Sequence, residues 1–321
     1  MSELESTESS PESPVSPETL ELVEKLNLPV QYEEQVKMLR GAGILEFLPQ
    51  KQDMGLIGID GKEYPIPKYD QILASLDSNS ERRELLERKH EQGFEKLLLV
   101  PIGMTLEVLI DRYKQQLLEH HQEKKEKKLL DTEGNPIDLN PDDPIYIDSP
   151  YQKADYQEKL IYYPQRFSED NHQGKTKQEL IDDGRAWEVI LVEDLPNLPA
   201  EGKGETKGGR RQLEANQSSN DYLKKFQTDP QYKGETGLTL EANLIYALTQ
   251  LREKNQVIDN YQAKGKVCRL TGAMFLSGAG VPVSFFDRDH RRAFLSWNLA
   301  DSRYSHYSVR AGVPILNQGW I

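Results

Sequence analysis

Cysteine is nearly missing from this chain. Cys268 is the only one in 321 residues, which excludes an intrachain disulfide and any zinc site built on cysteine pairs. Long apolar runs are missing as well, since none approaches the roughly 20 consecutive residues a membrane-spanning helix requires. The opening stretch MSELESTESSPESPVSPETL has neither a basic residue nor an apolar core, so it lacks the parts of a secretory leader. These absences predict a soluble, cytoplasmic chain with no membrane partner. Apolar residues are also sparse, at 36% against 29% charged, a mixture that predicts folded regions interrupted by solvated loops.

Acid outweighs base, for a net charge of −13. Sequence-independent nucleic-acid binding depends on neutralising phosphates with Lys and Arg, so that partner class is disfavoured. The imbalance is uneven. Residues 257–321 carry eight Lys and Arg against four Asp, a net +4, which leaves −17 on residues 1–256. A basic C-terminal region suits an anionic small molecule or an acidic protein segment.

Residues 1–16, rich in Ser, Pro and Glu, read as a disordered acidic tail. Ser16 and Pro17 then make a helix start, with Leu22, Val23 and Leu26 at helical spacing. VQYEEQVKMLRGAG predicts a second helix, and MGLIGIDGKEYPIP a hairpin turning at Asp60–Gly61. EKLLLVPIG and AWEVILVEDL read as buried strands. The stripe Leu106, Leu109, Ile110, Tyr113, Leu117 marks a long helix, and Leu240, Leu244, Ala247, Leu248, Leu251 another. Residues 131–184 are dense in Pro and Asp and read as an insertion, and 196–219 as a long mobile loop. The last sixty residues predict an antiparallel β-meander. The expected class is α+β: a helical N-terminal region, a mixed sheet with long helices, and that meander. Residues 17–321 are expected to form one composite unit, with parts 17–130, 131–184 and 185–321, because the strands KLLLVP and WEVILV each need neighbours and neither half offers many.

Motifs of catalysis and cofactor binding fail on inspection. GKT at Gly174–Thr176 has Glu169 where a phosphate-binding loop needs glycine, and HEQGF has Phe94 where a zinc protease needs histidine. DTEGNPIDLNPD has Pro136 where a calcium loop turns on glycine. No cofactor and no metal site is expected. SGAGVP lies between two strands, which makes it a turn and not a phosphate cradle. DRDHRR supplies Asp287, Asp289 and His290, and DSRYSHYS adds His306. These residue types serve as general acids and bases, but neighbours on a strand point to opposite faces and do not converge. The arginines suggest more. Arg269, Arg288, Arg291 and Arg292, joined by Lys203, Lys207, Arg210 and Arg211 of the long loop, offer planar guanidinium groups suited to carboxylates and phosphates.

GLTLEANLIYALTQL, CRLTGAMFLSGAGVPVSFFDRDHRRAFLSWN and SRYSHYSVRAGV together resemble the closing region of a bacterial family of unknown function. QYEEQVKMLRGAG and FEKLLLVP resemble its opening. The resemblance covers about half of the chain and implies a bacterial cytosolic protein with a β-rich C-terminus. It implies no activity, cofactor or catalytic residue. The sequence thus predicts a non-enzymatic binding or interaction module with a basic C-terminal face. The alternative is a hydrolase using Asp287, Asp289, His290 and His306.

Overall fold

The computed structural model describes residues 15–123, 128–148, 160–262 and 265–316. All but the last two residues of the expected acidic tail lie outside the described residues, as does part of the expected insertion. The fold is α+β. Helix α1 (Pro17–Lys25) starts on Ser16 and Pro17, and α2 (Leu28–Gly41) follows at once. A three-stranded antiparallel meander, β1 (Glu46–Leu48), β2 (Asp53–Ile57) and β3 (Glu63–Pro65), turns at Gly61 with φ of 74°. Only glycine takes that left-handed conformation at no steric cost. Helices α3 (Tyr69–Asp77) and α4 (Ser80–Glu91) lead into β4 (Phe94–Val100), and α5 (Leu106–Glu123) follows it.

The second half supplies the partner of β4. Strand β5 (Ile145–Ile147), β6 (Leu160–Tyr162) and helix α6 (Lys177–Asp182) precede β7 (Glu188–Glu193). Strands β4 and β7 pair antiparallel, Leu97 opposite Leu191 and Leu98 opposite Ile190, at one side of a four-stranded sheet in which β17 (Ala311–Pro314) and then β10 (Thr236–Gly237) follow β7, so that β4 is an edge strand. Each apolar run thus fills the other's ladder. Helix α8 (Leu240–Lys254) packs on this sheet and is buried on every side from Leu240 to Leu251, as expected of a helix inside a core. The side chain of Thr239 caps its first turn at 3.2 Å, and Asn255 ends it at φ of 54°.

The expected long loop is anchored by charge. It holds a two-stranded hairpin, β8 (Thr206–Lys207) and β9 (Arg210–Arg211), and Arg210 points inward with 0% exposure. Its guanidinium meets Glu235 at 2.7 and 2.8 Å and Glu193 at 3.1 Å. Helix α7 (Ser219–Thr228) then returns the chain to the core. The C-terminal region forms a mixed six-stranded sheet in the order β16 (Tyr307–Val309), β12 (Val267–Arg269), β14 (Gly280–Asp287), β15 (Arg292–Leu299) and β5, with β11 (Asn260–Tyr261) alongside β14. Its centre is the antiparallel hairpin of β14 and β15, paired over eight positions. Strand β12 adds antiparallel to β14, whereas β16, β11 and β5 add parallel to their neighbours. Strand β13 (Ala273–Phe275) pairs with β6. The Pro/Asp-rich stretch read as a loop therefore contributes an edge strand, β5. No described helix is long and apolar enough to cross a membrane.

Candidate functional site

Strand alternation sorts the C-terminal sheet into two faces. Phe286, Ala293 and Leu295 turn inward and are buried. Phe285 and Phe294 point the other way and stand directly opposite each other across the hairpin, stacked with ring centres 5.0 Å apart. Register extends the pair in both directions. Tyr146 of β5 lies opposite Phe294 at 4.8 Å. Tyr261 of β11 meets Phe285 at 5.4 Å and His306 at 5.2 Å, and Tyr304 and Tyr307 close the row against His306. The outer face thus carries an unbroken line of rings. Tyr146 and Tyr304 at its ends are 36% and 42% exposed.

Cations edge the rings. The Arg292 guanidinium lies 4.9 Å over Tyr146 and 5.0 Å over Phe294, held by an ion pair to Asp143, a cation–π arrangement. Arg288 and Arg291 are exposed at the hairpin tip. Arg288 stands 3.8 Å from Asp131, and Arg291 adopts φ of 56°. Burial, then Lys266 and Arg269, holds the His306 imidazole below its ordinary value, so at neutral pH it acts as one more uncharged ring.

The other candidate residues have separate fates. Arg269 has 0% exposure. It bonds the Ser219 hydroxyl at 3.1 Å and the Ser302 carbonyl at 2.6 Å, and stacks on Tyr307 at 4.7 Å. Paired opposite Val283, it lies on the same side of the sheet as Phe285 but is covered by Tyr307 and its Ser219 and Ser302 contacts, so it is not part of an exposed basic patch. Arg210 is likewise buried, and Arg211 is paired with Glu214 at 2.5 Å. Lys203 and Lys207 are exposed on the loop. Asp287 accepts bonds from the backbone N–H groups of Asp289 and His290 at 2.9 and 3.0 Å, and lies 3.0 Å from His290 Nδ1. Its carboxylate closes the hairpin turn. The His290 side chain is 60% exposed and leans on Phe294, while His306 leans on Tyr261 at the far side of Phe285. The two histidines do not share a site. Clefts at Tyr163–Thr271, Asn27–Asp194 and Gln35–Arg252 include none of Asp287, Asp289, His290 or His306 in their walls. Among the described residues no cluster of three or more His, Cys, Asp or Glu is arranged to hold a metal.

Sequence reasoning missed the ring row. Its members come from four separated stretches, and only the parallel additions of β5 and β11 bring Tyr146 and Tyr261 beside the hairpin. The one local signal was the alternation of Phe285 and Phe294 with inward-facing neighbours. No family model, curated protein or solved structure matches the chain.

Proposed function

We propose that this protein is a non-enzymatic binding or interaction module of the cytoplasm, and that its working surface is the outer face of the C-terminal sheet. The partner it suits is an acidic protein segment carrying aromatic or apolar side chains. The observation that carries this reading is the line of rings from Tyr146 to Tyr304, edged at the hairpin tip by exposed Arg288 and Arg291. Tyrosine and phenylalanine supply large contact area at low entropy cost, and guanidinium groups pair with carboxylates in a fixed, planar geometry. A net charge of −13 weighs against nucleic acid as the partner. The hydrolase alternative is weaker because Asp287 is engaged in its own turn and His290 stands in solvent.

Fluorescence anisotropy tests the reading with a labelled peptide in which glutamate alternates with phenylalanine and tyrosine. Saturable binding is expected, weakened about tenfold by Tyr146→Ser and by Arg291→Ala, the size of one lost interface anchor. Both side chains reach solvent, and far-ultraviolet circular dichroism of each variant separates lost binding from lost folding. Binding unchanged by either substitution defeats the proposal.

A further inference from the structure

Strand β4 is the last strand of its sheet, and its outer edge carries backbone groups that β7 does not reach. Edges of that kind pair with other chains unless something covers them. Helix α2 covers this one with two side-chain amides. The Gln31 amide accepts from the Leu97 N–H at 2.8 Å and donates to the Glu95 carbonyl at 2.8 Å. Those are the two bonds that one residue of a neighbouring strand would make. Gln31 also donates to the Leu26 carbonyl, just past α1, at 2.7 Å, so the same group ties both helices to the edge. One turn on, Gln35 accepts from the Leu99 N–H at 3.4 Å and donates to the Thr249 hydroxyl of α8 at 3.0 Å.

Spacing lets a helix do this. Residues four apart share one helix face at a rise of about 6 Å, and alternate strand residues are about 6.6 Å apart. Two glutamines at that interval meet Leu97 and Leu99 in step. Gln35 is only 2% exposed, a costly place for an amide unless its bonds are used. The strand also bulges at Glu95, where its register with β7 slips, and a bulge turns the start of an edge away from partners.

We infer that Gln31 and Gln35 make α2 a surrogate strand, and that the β4 edge beneath it is a pairing surface for a second copy of this chain. A docked α2 lacking both amides buries the Glu95 carbonyl and the Leu97 and Leu99 N–H groups without partners, which favours its release. The released edge is apolar from Leu97 to Val100, and Phe94–Val100 holds one acid and one base. Two copies of it neither repel nor require a third component, and they pair antiparallel about a two-fold axis into one continuous sheet. This inference does not rest on the outer face of the C-terminal sheet.

Sedimentation velocity and amide hydrogen exchange of the full chain test it. The parent is compared with Gln31→Met, Gln35→Met and the double variant, which keep side-chain length and lose the amides. The parent is expected to hold one mass, with Leu97 and Leu99 protected, over about a hundredfold range of concentration. The dilute double variant is expected to exchange both amides at least about tenfold faster. It should then gain mass, and protection at those two amides, as concentration rises. Each single variant should speed only its own amide, Gln31→Met at Leu97 and Gln35→Met at Leu99, and associate at the top of the range. The single variants carry the test if the double variant fails to fold. The inference is overturned if no folded variant gains mass with concentration, if association leaves Leu97 and Leu99 unprotected, or if the single variants exchange those amides as slowly as the parent.

Discussion

Replacing Arg210 by methionine should unravel the anchorage of the loop between β7 and α7. Arg210 sits between two carboxylates, Glu235 and Glu193, and Lys89 donates at 2.5 Å to the same Glu235 oxygen, Oε1, that accepts from Arg210 Nε. Two cations and two anions balance in a site closed to water. Its guanidinium also lies 4.8 Å over Phe94 and 5.3 Å over Tyr232. Burial already holds the Glu193 carboxyl above its ordinary value with Arg210 present. Removing one partner from a buried ion pair costs about 3–5 kcal/mol, because the charge left behind is uncompensated. Against a total stability of about 5–15 kcal/mol that is a large share. At about 2–4 °C per kcal/mol for a chain of moderate length, the midpoint should fall by about 6–20 °C. The companion variant Arg210→Met with Glu193→Gln leaves Lys89 and Glu235 as a balanced pair, and Gln212 can still bond the new amide. It should recover a substantial part of the loss, a coupling that a double-mutant cycle reads directly. Urea unfolding followed by far-ultraviolet circular dichroism measures both. A single variant within about 1 kcal/mol of the parent, or a double variant less stable than the single, would refute the reasoning.

Two further predictions concern pH. Burial raises the Glu188 carboxyl above its ordinary 4.5, outweighing the opposing pull of Arg185 and Tyr163. The folded state then holds the proton longer than the unfolded chain. Stability should fall as pH rises from about 4.5 through the folded value. Glu188→Gln should flatten that segment of the unfolding free energy, and an unchanged slope contradicts it. For His306 the sign reverses: its folded value lies below 6.5, so stability present above 6.5 is lost as pH falls through the folded value. The proton resonance of its ring should titrate with a midpoint below 6.5, and a midpoint at or above 6.5 rejects the account of its surroundings.

Local rules were enough for much of the framework. Ser16 and Pro17 announced the first helix, Asp60–Gly61 the hairpin, and the runs KLLLVP and WEVILV two buried strands, which pair with each other. Each of these depends on neighbours in the chain, or on apolar runs long enough to require a partner. The site depended on register between distant segments. Three-residue β5 carries Tyr146 in a stretch whose prolines and aspartates read as loop, and two-residue β11 carries Tyr261. Neither is long enough to show periodicity. Charge misled in the opposite direction. Arg210 and Arg269 looked like surface cations because arginine is seldom fully buried without a partner, and those partners, Glu235 and Glu193 for one and Ser219 and the Ser302 carbonyl for the other, lie far away in sequence.

The most direct test of the outer face is hydrogen exchange of the full chain with and without the acidic aromatic peptide. The account predicts protection gathered on β5, β11 and the β14–β15 hairpin, lost together with binding in Tyr146→Ser. Tight binding with protection confined to other elements would contradict it.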